Sequence, residues 1–131
     1  MLKCGCIFDH GALDEFYASC GIKEEYNDYT MYFCMYEDGE LLGVIRMYPE
    51  NGRCRIEDVV SKEPLSYMYE EFIVKSCINF ALTFNVKELV ISAKDESFLK
   101  PMGFERAGDE MIGNVEIIDF PHPCCGKGAN K

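Results

Sequence analysis

Gly39–Ser61 reads GELLGVIRMYPENGRCRIEDVVS, and Phe98–Glu105 reads FLKPMGFE. The first stretch predicts antiparallel strands. Leu41–Tyr48 is rich in bulky apolar residues, Pro49-Glu50-Asn51-Gly52 has turn chemistry, and Cys54–Val60 returns as another strand. Gly43, inside the first run, predicts a bulge or a close backbone approach. The second stretch predicts a short helix, Glu96–Met102, interrupted by Pro101 and closed by Gly103 before the chain extends again.

Working outward, Leu13–Cys20 places apolar residues at 13, 16, 17 and 20, a helical spacing that Gly21 would end and Asp9 or Asp14 would start. Tyr29–Tyr36 (YTMYFCMY) is bulky at every position and reads as a strand buried on both faces, joined to the next by an Asp38-Gly39 turn. Leu65–Phe84 carries an apolar ladder at Leu65, Met68, Phe72, Ile73, Cys77, Phe80, Ala81 and Phe84, with Pro64 at its start and Asn85 at its end. Lys87–Ala93 reads as a strand, so strand, helix and strand predict a crossover with parallel pairing. Val115–Phe120 reads as a last strand, and residues 121–131 as a loose tail rich in Cys, Gly and Pro. The expected fold class is α+β, a mixed central sheet flanked by helices, with one domain over residues 1–120.

The chain has 131 residues, enough to bury a core, and 48% of them are hydrophobic. Its formal charge of −10 repels phosphate backbones and anionic lipid, so neither nucleic acid nor membrane is an expected partner. A cationic partner, an amine or a basic peptide, suits that surface better, although acidity also serves solubility alone. The first residues, MLKCGCIFDHG, lack the apolar core of a secretion signal, and no run is long enough to span a membrane. A cytoplasmic location is expected. The sequence sets no oligomeric state.

Eight cysteines occur: Cys4, Cys6, Cys20, Cys34, Cys54, Cys77, Cys124 and Cys125. Without a secretion signal they read as reduced thiols, with Cys34, Cys54 and Cys77 as small core residues. Cys4 and Cys6 near His10, and Cys124 and Cys125 near His122, have soft-ligand chemistry, but their spacings match no standard zinc module. No metal site is assigned.

In its order of elements, from Leu13 to Phe120, the chain resembles the GNAT superfamily of N-acetyltransferases. The resemblance rests on the strand Ile56-Glu57-Asp58-Val59-Val60, the long helix after it, and the Gly103-Phe104 pair. It implies a GNAT-like fold that binds acetyl-CoA. It also implies that the strand before the helix splays from its neighbour, so that the backbone of Val59, Val60 and Ser61 meets the pantetheine arm. The helix start, Ser66-Tyr67-Met68-Tyr69, would meet the pyrophosphate, and Phe98 would pack near the cofactor. Glu57 resembles the general base that part of the family uses to take a proton from an amine. The other reading of Glu57 is a carboxylate paired with Arg46, Arg53 or Arg55.

The chain departs from the family pattern twice. Tyr67 and Tyr69 stand where glycines let backbone N–H groups reach phosphate, Ser66 stands where a basic or amide residue is usual, and no glycine occurs between Gly52 and Gly103. Leu99 stands where many members carry the tyrosine that protonates the leaving thiolate. Two functions follow as expectations. One is an acetyl-CoA-dependent N-acetyltransferase acting on a small-molecule or peptide amine. The other is a GNAT-fold binding or regulatory module without catalysis. A metal or redox role through the terminal cysteines is a third reading.

Overall fold

The computed structural model describes residues 2–6, 10–24, 29–92, 97 and 99–114. The chain begins with a strand, Leu2–Cys6 (β1), which sequence reading treated only as a thiol cluster. His10–Ser19 forms α1, which buries Leu13, Phe16 and Tyr17, three of the four apolar positions its spacing predicted. Met31–Glu37 (β2) and Glu40–Glu50 (β3) form the predicted hairpin, with Asp38 and Gly39 both at positive φ in its turn. Met35 pairs with Gly43 and Tyr36 with Leu41, which leaves Leu42 as the bulged residue beside Gly43. Arg53–Ile56 forms β4, shorter than the predicted strand to Val60.

The long helix runs Tyr67–Ala81 (α2) and tightens into a 3-10 turn at Leu82–Phe84. Leu65 therefore precedes the helix, and Ser66 is its N-cap. Asn85 ends the turn in the left-handed conformation. The buried stripe is Ile73, Val74, Cys77, Ile78 and Ala81. Three ladder residues of the sequence reading, Met68, Phe72 and Phe84, are instead exposed. A helix laid on a sheet covers only one stripe of about 100°, and Met68 and Phe72 project from the opposite side.

Glu88–Ile91 (β5) pairs parallel with β4, as the crossover predicted. The predicted helix at Glu96–Met102 is, among the described residues, a 3-10 turn at Lys100–Met102. Pro101 occupies its first turn and Gly103 closes it at φ 105°. The chain then extends as expected into a short strand, Glu105–Ala107 (β6), and a further strand not foreseen in the sequence, Glu110–Asn114 (β7), follows through Gly108 at φ 66°. The strand expected at Val115–Phe120, and the tail, lie outside the described residues.

All strands join one seven-stranded sheet in the order β1-β2-β3-β4-β5-β7-β6, and only the β4–β5 pair is parallel. The fold is α+β. The larger core lies between the sheet and α2, and includes Phe33, Ile45, Met47, Ile56, Leu89, Leu99 and Met111. A smaller core on the opposite face packs Leu13, Phe16 and Tyr17 of α1 against Tyr32, Cys34 and Val44. Each large side chain so buried contributes about 1.5–3 kcal/mol, so the two cores clamp the sheet from both sides. Among the described residues no helix is long and apolar enough to cross a membrane.

Candidate functional site

The site begins at the C-terminal ends of β4 and β5. Their pairing ends at Ile56 and Ile91, with Ser92 N–H donating to Ile56 O at 2.9 Å. Glu57 N–H then donates to Arg46 O at 3.0 Å, and Val60 and Val44 exchange two backbone bonds of 2.9 Å. From Arg46 to Val44 the β3 edge advances by two residues, while the facing chain advances by three, from Glu57 to Val60. The surplus is a bulge at Asp58-Val59 against the β3 edge. The Asp58 carboxylate accepts from Val59 N–H at 2.9 Å. Gly43 makes room for this bulge, because a Cβ there would lie 3.1 Å from Val59 Cγ2 and 3.4 Å from Leu65 Cδ1.

Glu57 sits at the start of the opening and is ion-paired. Its Oε1 lies 2.8 Å from Arg46 NH2, and Arg46 NH1 lies 3.0 Å from Glu24 Oε1. Glu24 also accepts from Tyr32 Oη at 2.8 Å. The Glu24 side chain is 7% exposed, against 32% for Glu57, so the inner carboxylate depends on Arg46 more than the outer one does. Burial first, and then the Glu57 carboxylate, hold the Tyr48 phenol above its usual range. Burial, reinforced by Glu24, pushes the Tyr17 phenol up strongly. Arg46 was read in the sequence only as a partner for Glu57. Its second partner, Glu24, lies 22 residues away, and no local pattern announces it.

The helix end of the site is built differently. Ser66 Oγ accepts from Tyr69 N–H at 3.2 Å, which closes one of the helix's open N-terminal donors from within the chain. Tyr67 is 50% exposed, and its phenol lies 2.9 Å from Ser97 Oγ. Tyr69 turns its phenol onto Glu37 at 3.0 Å, and that bond raises the phenol above its usual range. Leu99 is fully buried and serves the core. Phe98 lies outside the described residues. A cavity of about 550 Å³ opens between α1, the β2–β3 turn and residues 62–66, with Phe16, Tyr36 and Tyr69 in its walls and Glu15, Glu40, Glu63 and Lys62 around it. No local stretch of sequence marks it, because its lining comes from three separate segments.

The thiols take a structural place. Cys34, Cys54 and Cys77 are buried, as expected of small core residues. Cys4 and Cys6 sit on β1, half-covered by the larger core, and burial raises Cys6 to about 11. No group of three metal-ligating side chains occurs among the described residues. Cys124, Cys125 and His122 lie outside them.

The acetyl-CoA that the family resemblance implies would ask two different things of these residues. Its pantetheine arm carries neutral amides, which pair with a free strand edge. The pyrophosphate suits a helix start whose N–H groups are accessible. Here one of those groups is taken by Ser66, and aromatic side chains flank the others.

No protein-family model matches the chain, and no curated protein matches it in sequence. Solved structures do. A GNAT family acetyltransferase from Brucella melitensis, in complex with acetyl-CoA, is 12% identical and superposes over 88% of each chain with a TM-score of 0.65. The ribosomal-protein-S18-alanine N-acetyltransferase from Escherichia coli is 9% identical over 86% of this chain and 91% of its own, with a TM-score of 0.63. An aminoglycoside acetyltransferase in complex with coenzyme A is 12% identical over 89% of this chain and 96% of its own, with a TM-score of 0.66. At these identities the likeness is one of architecture, and it extends over nearly the whole chain: the protein has the GNAT fold.

Proposed function

We propose that this protein is an acetyl-CoA-dependent N-acetyltransferase acting on a small-molecule or peptide amine in the cytoplasm. The observation that carries the reading is the bulge at Asp58-Val59, which lies between the last β4–β5 pair and the long helix, directly after the Glu57 carboxylate. Structures of the same fold hold acetyl-CoA, and others are named for aminoglycoside or protein acceptors, which supports the class of donor and acceptor. Bound acetyl-CoA would supply an activated thioester. The chain's own part is to line the opening with Val59, Val60 and Ser61, to place Ser66, Tyr67, Met68 and Tyr69 at the helix end, and to take the amine proton on Glu57. Arg46 holds Glu57 Oε1 in place for that task.

A second reading has its own support. Ser66, Tyr67, Tyr69 and Leu99 together describe a GNAT-fold binding or regulatory module that has dropped the reaction. Calorimetric titration with acetyl-CoA and with coenzyme A separates the two. Saturable binding, followed by acetylation of an amine or peptide that Glu57→Gln abolishes without unfolding the protein, supports the enzyme. No binding at millimolar cofactor ends the first reading and leaves the second. Full turnover by Glu57→Gln would remove Glu57 from the mechanism.

A further inference from the structure

We infer that the acyl donor is held by its pantetheine arm alone, and that the diphosphate and nucleoside beyond it stay in solvent. The inference rests on the transferase reading above and narrows its substrate to pantetheine thioesters, whatever the arm is attached to. It starts from a disagreement between the fold and the residues.

A diphosphate at a helix start needs N–H groups it can approach and no competing negative charge. In this chain the Tyr69 N–H is already bonded to Ser66 Oγ at 3.2 Å. No glycine lies between Gly52 and Gly103, so every peptide at the helix start carries a side chain. Those side chains are large and apolar, with Tyr67 at 50%, Met68 at 76% and Phe72 at 41% exposure. The Tyr67 phenol reaches Ser97 at 2.9 Å, across the gap between the helix start and the segment after β5. Glu63 precedes the helix and Glu70 lies in its first turn, in a protein of net charge −10. Each feature opposes an anion, and together they form an apolar lip.

The strand half offers peptide groups rather than a lip of large side chains, although the Asp58 carboxylate already accepts from the Val59 N–H there. Beyond Ile56, where the β4–β5 pairing ends, the chain bulges against β3, and Gly43 leaves room there for Val59 and Leu65. A neutral arm with amides spaced along it can pair with such an edge without any charge. The apolar lip at Tyr67 and Met68 then covers the arm rather than its phosphates.

Titrating the intact protein with acetyl-CoA and with acetyl-pantetheine, each at low and at moderate salt, tests this. The expected result is dissociation constants within about threefold of each other and nearly independent of salt. Acetyl-CoA binding more than about tenfold tighter, with the advantage fading in salt, overturns the inference and leaves the transferase reading standing. Binding of neither overturns both. Tyr67→Gly, at an exposed side chain, gives an independent arm. It should strengthen coenzyme A binding while acetyl-pantetheine binding changes less, and an equal change in both would contradict the assignment.

Discussion

Two segments make up the candidate site, the strand end Glu57–Ser61 and the helix end Ser66–Tyr69, and they are built by different means. The strand end is made by backbone: a bulge, one cross-strand bridge and a glycine that clears space. Its form tolerates many side chains, because the groups it offers are peptide groups. The helix end is made by side chains, which cap a donor, bridge to Ser97 and lean on Glu37. Geometry can therefore persist at the first place while chemistry changes at the second. Shared architecture transfers the strand end more safely than the helix end.

The comparison breaks most sharply at Arg46. Arg46→Ala leaves the Glu24 carboxylate, 7% exposed, without its guanidinium, and should cost about 3 kcal/mol. Urea unfolding followed by circular dichroism measures it. A loss within experimental error would mean that Tyr32 alone satisfies Glu24 and that the strand end does not depend on the ion triad.

Gly43→Leu strikes the contact shared by both ends, since the new side chain would press on Val59 and Leu65. It should cost about 2 kcal/mol as overpacking, and it should weaken donor binding more than that loss alone would. Unfolding midpoints and titration of the same sample give both numbers. If Gly43→Leu binds the donor as the parent does, the opening does not need the close approach seen at Gly43.

Ser66→Ala touches the helix end alone and is the mildest change. Loss of the N-cap should cost about 1 kcal/mol. It also releases the Tyr69 N–H, so any coenzyme A affinity that depends on phosphate should rise rather than fall. Thermal unfolding and calorimetry together distinguish that outcome from a purely structural cap, which would lower stability and leave binding unmoved.

Much of the strand end was legible in the chain. Gly43 marked the close approach, Asn51-Gly52 marked a turn, and the long helix after Val60 marked the crossover that makes β4 and β5 parallel. These are local signals, set by backbone sterics and by the period of apolar residues. The helix end was legible as a departure, since Tyr67 and Tyr69 occupy positions where glycine would be needed for a phosphate. What they do instead was not legible, because their partners Ser97 and Glu37 are 30 and 32 residues away. The strands β1 and β7 were not legible for a related reason. LKCGC and EMIGN are short and weakly periodic, and become strands only through the neighbours they pair with.

By itself, then, the sequence determined the helix–strand order from Leu13 to Ile91, the α+β class, the acidic surface and the absence of a glycine cradle at the helix start. Each follows from residue type and near-neighbour spacing. Tertiary structure alone decided the rest: that Arg46 bridges Glu57 to Glu24, that α2 turns Met68 and Phe72 outward, and that the strand leaves its partner at Ile56. Those outcomes depend on which distant groups arrive at the same place. Burial and charge pairing are set by that arrival, and no local stretch of the chain encodes it.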